Sequence, residues 1–362
     1  MADLFPSWAA RRPCALPSAA LRGQTVLVTG AGGSLGAALA RRLSGLPLRR
    51  LVLVDTSEHS LVRLRQRLEA RDPGPRTTYR LADLRLAADR ARVLRTGPTT
   101  VVHAAAYKHV PFLEARPIPA TQNNLLATAD WLADCRAHAS VERFVLVSTD
   151  KAVRPVGVMG ATKAAAEQLL VAARALDAPG LVPTTVRLCN IFGSRGSVVP
   201  HFCRRLRAGE ALPVTHPDME RWFMAPAAAA RAVLHGPRQA GGTYVPTECR
   251  TINIEALARR LVRWHRPSAE PEAWIRHVGL RAGERLEEAL TAPPERPTAS
   301  VEGPLERTQS RPAPPLDVLR EDLDGLRRLC GAGRADAVRD RLVTMSRRAA
   351  AEPRPNGTPA SE

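Results

Sequence analysis

An α/β fold built on a doubly wound parallel sheet is what three features of this 362-residue sequence predict. Short β-branched runs alternate with amphipathic stretches of ten or more residues, the pattern of βαβ units. The first run leads directly into a glycine-rich turn, "VTGAGGSLG". Small and polar residues recur at the ends of successive runs, the edge where open parallel sheets hold their ligands.

In chain order the strand candidates are "TVLVTG", "RLVLVD", "TTYRLAD", "TTVVHAA", "RFVLVST" and "TTVRLCN". Helical patterns such as Leu35–Leu46 and Ala161–Ala175 lie between them and supply right-handed crossovers. Residues 1–22 read as an N-terminal extension and 23–290 as one large domain. Within it, about 23–192 form the sheet core, and from Gly193 shorter pieces form a smaller C-terminal region that would cover a ligand. Residues 291–315, "TAPPERPTASVEGPLERTQSRPAPP", read as a proline-rich loop or linker. A helical pair broken at "CGAGR" fills 316–350, and the tail 351–362 is expected to be disordered.

Composition narrows the function classes. No apolar run approaches the roughly 20 residues of a membrane span. The start, "MADLFPSWAARRPCALPSAALRG", places arginines where a secretory signal needs an apolar stretch, so none is expected. The six cysteines form no C-x-x-C pair and the histidines are dispersed, which predicts reduced thiols in a cytoplasmic protein and no metal site. A net charge of +18 would suit nucleic acid, but the arginines mix with acids at helical spacing in "LVRLRQRLEARDPGPR". With aromatic residues at 4%, there is little to stack bases on, so no nucleic-acid binding is expected.

The glycine-rich turn carries the first chemistry. Gly30, Gly33 and Gly36, with Ser34 and Leu35 between the last two, let the backbone turn tightly and bring a pyrophosphate to a helix N-terminus. Asp55 ends the second run 19 residues after Gly36, where a carboxylate can accept both ribose hydroxyls of an adenosine. The same charge repels a 2′-phosphate, so this Rossmann-type pattern predicts NAD rather than NADP. Asp83 and Leu84 after the third run, and Ala104 and Ala105 after the fourth, are further candidates for cofactor contact.

Lysine usage is the second signal. The chain has three lysines against fifty arginines, and all three fall in motif-like stretches: Lys108 in "HAAAYKHVP", Lys151 and Lys163 in "VLVSTDKAVRPVGVMGATKAAAEQ". Lys163 shares a helix face with Met159, one turn earlier, and its compact ammonium suits a ribose diol better than a guanidinium does. Lys151 follows Asp150 at a strand end. Desolvation and nearby cations can lower a lysine pKa until it works as a base, which no arginine can do.

The stretches "VSTDKAVRPVGVMGATKAAAE", "HAAAYKHVPFLE", "IFGSRGSVVPHF", "THPDMERWFM" and "GLRAGERLEE" resemble the polysaccharide-biosynthesis group of nucleotide-sugar 4,6-dehydratases. These are extended members of the short-chain dehydrogenase/reductase superfamily, and the resemblance covers roughly Gly23 to Leu290. Met159 belongs to it, since one branch carries methionine where the superfamily has tyrosine. Larger members of that branch have N-terminal membrane helices; a soluble form is expected here. The resemblance implies conversion of UDP-N-acetylglucosamine to its 4-keto-6-deoxy product with tightly held NAD. It gives Lys151 the C5 proton, Asp150 the protonation of the departing C6 hydroxyl, and Thr149 a hydrogen bond to the C4 oxygen. A thioether cannot take the O4 proton, which passes to Thr149, Asp150 or water. Lys108, Asn190, Arg195, Arg221, Arg281 and Glu284 fall near the substrate diphosphate and ribose, and Val199 and Pro200 against its uracil.

Departures from the family pattern cluster in the substrate half. Ala127, Ala282, Arg285, "APAAAARAV" and "VPTECRT" leave the hexose and the C5 stereochemistry open. A C5-epimerising dehydratase or an epimerase is the nearest rival, and a non-catalytic basic binding protein a more distant one. Members of this kind are commonly dimers, so a homo-oligomer is expected.

Overall fold

The computed structural model describes residues 18–70, 74–175, 180–291, 303–309 and 314–348, with 293, 295 and the backbone of 297–300. The N-terminal extension up to residue 17 and the tail 351–362 lie outside the described residues.

The six expected runs are strands β1 (Thr25–Thr29), β2 (Arg50–Asp55), β3 (Arg76–Leu81), β4 (Thr100–His103), β5 (Arg143–Thr149) and β6 (Val182–Leu188). Further along come β7 (Asn190–Ile191), β8 (Leu212–Val214), β9 (Glu220–Met224), β10 (Gly242–Pro246), β11 (Arg250–Asn253), β12 (Ile275–His277), β13 (Pro297–Ser300) and β14 (Leu305–Thr308). The main sheet runs β13-β14-β10-β6-β5-β4-β1-β2-β3 and is parallel from β3 to β10. Its order reverses between β1 and β4, which opens a crevice at their carboxyl ends. The expected Rossmann-type α/β sheet is found.

Both faces of the sheet are buried, because successive side chains along each strand point to opposite sides. Val26, Val28, Leu51 and Leu53 pack on one side, and Leu27, Val52, Val54 and Phe144 on the other. The helix Val158–Ala175 lies on this second side and is buried along nearly its whole length. Its alanines allow close contact with the sheet on one flank and with the helix Ala335–Arg348 on the other. Glu114 Oε2 accepts from Val158 N at 2.9 Å and so caps the start of the Val158–Ala175 helix.

The segment 291–315 is the main departure from expectation. Where a loop or linker was predicted, β13 and β14 form an antiparallel pair and β14 joins β10, also antiparallel. Pro297 opens β13 at the sheet edge, where a strand tolerates a missing N–H. Leu305 and Thr308 are fully buried there. The helices Leu316–Gly331 and Ala335–Arg348 then add Leu319, Leu326, Val338 and Leu342 to the core.

A smaller region hangs over the carboxyl edge. It contains the β11-β9-β7 and β12-β8 sheets and the helices Val198–Arg207 and Ile254–His265 around Phe202, Phe223 and Leu261. No helix among the described residues is long and apolar enough to cross a membrane.

Candidate active site

The glycine turn is as tight as its sequence requires. Gly30 has φ +65°, and a Cβ there would lie 2.8 Å from Ala105 Cα. A Cβ on Gly36 would lie 2.1 Å from Gly30 O, so the helix Ser34–Leu43 starts pressed against the turn. Gly33 is its N-cap and offers no side-chain acceptor to the first amides, which leaves them to an anion. Asp55 braces the turn: Oδ2 accepts from Gly32 N at 2.8 Å and Oδ1 from Ser57 N at 2.9 Å. Its remaining lone pairs are free to meet a ribose. Leu84 is buried in the core, while Asp83 is engaged by Arg85 through a forked ion pair.

The floor behind the turn is fixed by a network centred on His103, the residue that ends β4. Thr128 Oγ1 donates to Asn124 O at 2.9 Å, so its 3.0 Å contact with His103 Nε2 makes that nitrogen the donor. His103 Nδ1 therefore accepts from Thr29 Oγ1 at 2.8 Å, and Thr29 Oγ1 accepts from Ala105 N at 3.2 Å. Burial, with Lys163 nearby, lowers the His103 pKa to about 3, so the ring is neutral. Asn124, on a short π-helical stretch, grips both the N–H and the C=O of Tyr107 and holds the loop after β4. Ala104 and Ala105 consequently present backbone beside Gly30.

At the end of β5 the chain turns through a single 3₁₀ turn, Asp150–Ala152, capped by Thr149. A Cβ on Gly160 would meet Lys151 O at 2.4 Å, so that glycine lets the Lys163 helix close onto this turn. Thr149 Oγ1 donates to Asp150 Oδ1 at 2.8 Å. Lys151 Nζ donates to Asp150 Oδ1 at 3.1 Å, Asn190 Oδ1 at 3.3 Å and Glu288 Oε2 at 2.7 Å. Asp150 Oδ2 is buried and accepts no donor from the described residues. Asp150, Lys151, Met159, Arg285, Glu287 and Glu288 line a cavity of about 150 Å³.

The electrostatics differ from expectation. A lysine acting as base was expected to have its pKa lowered by desolvation, but the neighbours of Lys151 are carboxylates. Burial alone would lower its pKa; Asp150 and Glu288 outweigh burial and hold the ammonium above its usual range. Burial raises the Asp150 carboxyl to about 6, against the pull of Lys151 and with the push of Glu288. Burial would also raise Glu288, yet Lys151 and Arg221 keep it below the usual carboxylate range. Lys163 is 4% exposed, and burial lowers its pKa to about 8, partly offset by Glu167. Its ammonium has no protein hydrogen-bond acceptor among the described residues, as a ribose-diol donor requires. The glycine turn, Asp55 and Lys163 together fit a dinucleotide.

The expected substrate residues are not gathered in one place. Arg195 N donates to Ser34 Oγ at 2.9 Å, its guanidinium bonds Gly32 O, and Lys108 Nζ donates to Arg195 O at 2.6 Å. Lys108 and Arg195 thus strap the glycine turn. Arg221 is 9% exposed and donates to the carbonyls of Glu220, Arg285 and Leu286, leaving Nε for Glu288. Val199, expected against uracil, points into the core with Phe202; Pro200, its neighbour, is half-buried. Arg281 and Glu284 face solvent-side on one turn, where Arg281 N donates to Glu284 Oε2 at 3.2 Å. Glu288 was inside a quoted motif but not chosen. A second acid beside Glu287 was the only signal for it.

Residues 26–304 match the profile of a family described as polysaccharide biosynthesis protein. The chain belongs to that family. Among its relatives, the capsular polysaccharide biosynthesis protein CapD of Staphylococcus aureus is 37% identical over 284 residues, 76% of this chain and 46% of CapD. The chain therefore spans about half of CapD's length. A UDP-glucose 4-epimerase of Rickettsia massiliae is 30% identical over 280 residues, covering 74% of this chain and 78% of that enzyme. Among solved structures, DesIV, a dTDP-glucose 4,6-dehydratase from Streptomyces venezuelae with NAD and TYD bound, superposes with a TM-score of 0.62 at 24% identity. That match covers 72% of this chain and 86% of DesIV. This polysaccharide-biosynthesis family member thus has the fold of the nucleotide-sugar dehydratases and epimerases of the short-chain dehydrogenase/reductase superfamily.

Asp55 gives a direct test of cofactor choice in this site. Asp55→Ala is expected to weaken NAD binding and to narrow the preference over NADP, because the repelling carboxylate is gone. Fluorescence titration with both nucleotides checks it. An unchanged preference would assign the discrimination to another residue.

Proposed function

We propose that this chain is an NAD-dependent nucleotide-sugar 4,6-dehydratase acting on a UDP-hexose, with UDP-N-acetylglucosamine the first substrate to test. The observation that carries the reading is the pairing of Asp150 and Lys151 on the wall of one cavity, against the helix that bears Lys163. Eliminating water across C5 and C6 needs one group to take a proton and another to give one. A plain 4-epimerisation needs no such pair. NAD, when bound, takes up a hydride from C4 and returns it to C6.

The chain's own residues supply the rest. The glycine turn and Asp55 hold the adenosine half, and Lys163 holds the nicotinamide ribose and places positive charge beside the ring. Thr149 orients the C4 oxygen. Met159 walls the pocket without taking a proton. Asn190, Pro200, Arg281 and Glu284 remain the candidates for the nucleotide. The presence of NAD in DesIV and the capsular-polysaccharide context of CapD support this reading.

The 30% identity to a UDP-glucose 4-epimerase supports a second reading, a nucleotide-sugar 4-epimerase. Incubation with UDP-N-acetylglucosamine followed by mass spectrometry separates the two. The dehydratase is expected to give a product lighter by one water. A product of unchanged mass with altered retention would sink elimination and favour 4-epimerisation.

A further inference from the structure

We propose that Cys189 and Cys249 form a redox-modification site, in which a hydroperoxide converts the two thiols into a disulfide that ties the smaller region to the main sheet and slows turnover. The disulfide itself does not depend on the dehydratase reading; its effect on turnover does.

Position carries the assignment. Both cysteines stand where the chain leaves the main sheet for the smaller region. Cys189 is the single residue between β6 and β7, and Cys249 ends the connection from β10 to β11. β6 and β10 are parallel neighbours, with Val186 opposite Tyr244. β7 and β11 both pair with β9, where Asn190 and Arg250 each oppose Phe223. The two exits from the sheet therefore run side by side, and Cys189 Sγ lies 2.7 Å from Cys249 Sγ although 60 residues separate them. Carbon atoms in ordinary contact stand about 3.5–4.0 Å apart, and sulfur is larger. The two sulfurs are thus nearer than an ordinary non-bonded pair.

Neither position is loose. Asn190, next to Cys189, donates through Nδ2 to Trp222 O at 2.9 Å and accepts from Lys151 Nζ at 3.3 Å. Glu248, next to Cys249, is held by Arg231 at 2.7 Å, and Thr247 N donates to Pro304 O at 3.0 Å. Cys249 also belongs to "VPTECRT", a stretch that departs from the family pattern, so the resemblance gives it no role.

The two sulfurs have different parts to play. A hydrogen bond with Cys249, then burial, holds the Cys189 thiol well above its usual range, so it keeps its proton and donates S–H to Cys249. Cys189 is 5% exposed, whereas Cys249 is half-buried, so an oxidant reaches Cys249 first. Its sulfur attacks one oxygen of the hydroperoxide. The S–O bond forms, the O–O bond breaks, and the Cys249 proton leaves with the other oxygen, as water when the oxidant is hydrogen peroxide. Cys189 then attacks the sulfenic sulfur. The S–S bond forms, the S–O bond breaks, and the Cys189 proton leaves with the hydroxyl as a second water. The sulfurs lose two electrons and the peroxide gains them; a dithiol reverses the change by exchange.

The consequence follows from the place. In the proposed reaction, substrate enters and leaves between the carboxyl edge of the sheet and the region that overhangs it. Motions of such covering parts set many turnover rates. A bond across both exits restrains that motion.

The test uses the full-length protein with NAD bound, treated with hydrogen peroxide, then denatured and alkylated. The reduced protein should take up an alkyl group at each of its six cysteines, and the oxidised protein two fewer. Trypsin should release Leu188–Arg195 joined to Gln239–Arg250. The melting temperature should rise by roughly 5 °C, since the bond closes a long loop. Turnover of UDP-N-acetylglucosamine should fall at least about tenfold, with NAD retained, and dithiothreitol should restore it. Cys249→Ser should turn over substrate as the reduced protein does and lose every response to peroxide. Cys203→Ser, on the helix Val198–Arg207, should keep them all.

An unchanged alkyl count after peroxide overturns the proposal, as does oxygen gained at Cys249 without a joined peptide. A joined pair that leaves melting temperature and turnover unchanged overturns it too, because such a bond restrains nothing. If the reduced protein turns over no nucleotide hexose, the dehydratase reading fails, while the joined peptides and the melting temperature still decide the cysteine pair.

Discussion

Lys163→Met is expected to leave a folded protein that binds NAD more weakly and transfers hydride roughly 10²- to 10³-fold more slowly, the usual cost of losing one aligned donor. Methionine keeps most of the side-chain volume, so the 4%-exposed site stays filled and only the charge and its donors are lost. Burial has already brought the Lys163 pKa down to about 8, which adds a pH signature. Below that value the group is an ammonium that can grip a diol; as pH rises through it, the charge disappears and affinity for NAD should fall. The variant should lack this dependence. Calorimetric titration of NAD at several pH values, with single-turnover absorbance of the reduced nicotinamide, reads both effects. Equal hydride transfer in the variant would remove Lys163 from the mechanism.

Gly36→Ala is expected to abolish dinucleotide binding altogether. The new methyl would sit 2.1 Å from Gly30 O and 2.7 Å from Ala31 Cα, and neither is a flexible side-chain end. The turn and the first helix must part, at roughly 1–3 kcal/mol of stability, and the cradle opens. Gly45→Ala is the matched control, because its methyl meets nothing nearer than Arg42 O at 3.8 Å. Circular dichroism establishes folding, and chromatography of the denatured supernatant measures retained cofactor. A Gly36→Ala protein that still carries NAD would show that the turn is looser than its geometry.

These expectations draw on features with unequal visibility in sequence. The six parallel strands, the glycine turn and Asp55 were legible because each depends on local pattern: β-branched runs, a fixed glycine spacing, an acid at a strand end. Lys151 and Lys163 stood out through the rarity of lysine, and Asp150 through the motif it shares with Lys151. Glu288 was not, since it reaches Lys151 across 137 residues and nothing near it marks that approach. The same holds for Arg221 and Val199. Their motifs placed them near the ligand, but which carbonyls an arginine meets, and which side of a helix faces inward, are settled by tertiary packing. Strands β13 and β14 were hidden by proline-rich composition, and their pairing is dictated by the free edge of β10 rather than by local propensity.

The segment that supplies those strands also alters what counts as a self-sufficient unit. Arg187, on β6, lies between two buried carboxylates, Glu167 on the Lys163 helix and Glu295 just before β13, with contacts of 2.7 Å and 2.6 Å. It also donates to Leu290 O at 3.1 Å. The motif-bearing portion ends at about residue 290, so a chain trimmed there would retain every residue assigned a chemical role. It would nonetheless lose half the charge balance of a buried guanidinium, a loss on the order of 3–5 kcal/mol for an ion pair broken on one side. It would also expose the edge of β10 to pairing with other molecules. The catalytic half is therefore no transplantable cassette: the last residue with a chemical role and the last residue the fold needs fall at different places in the chain.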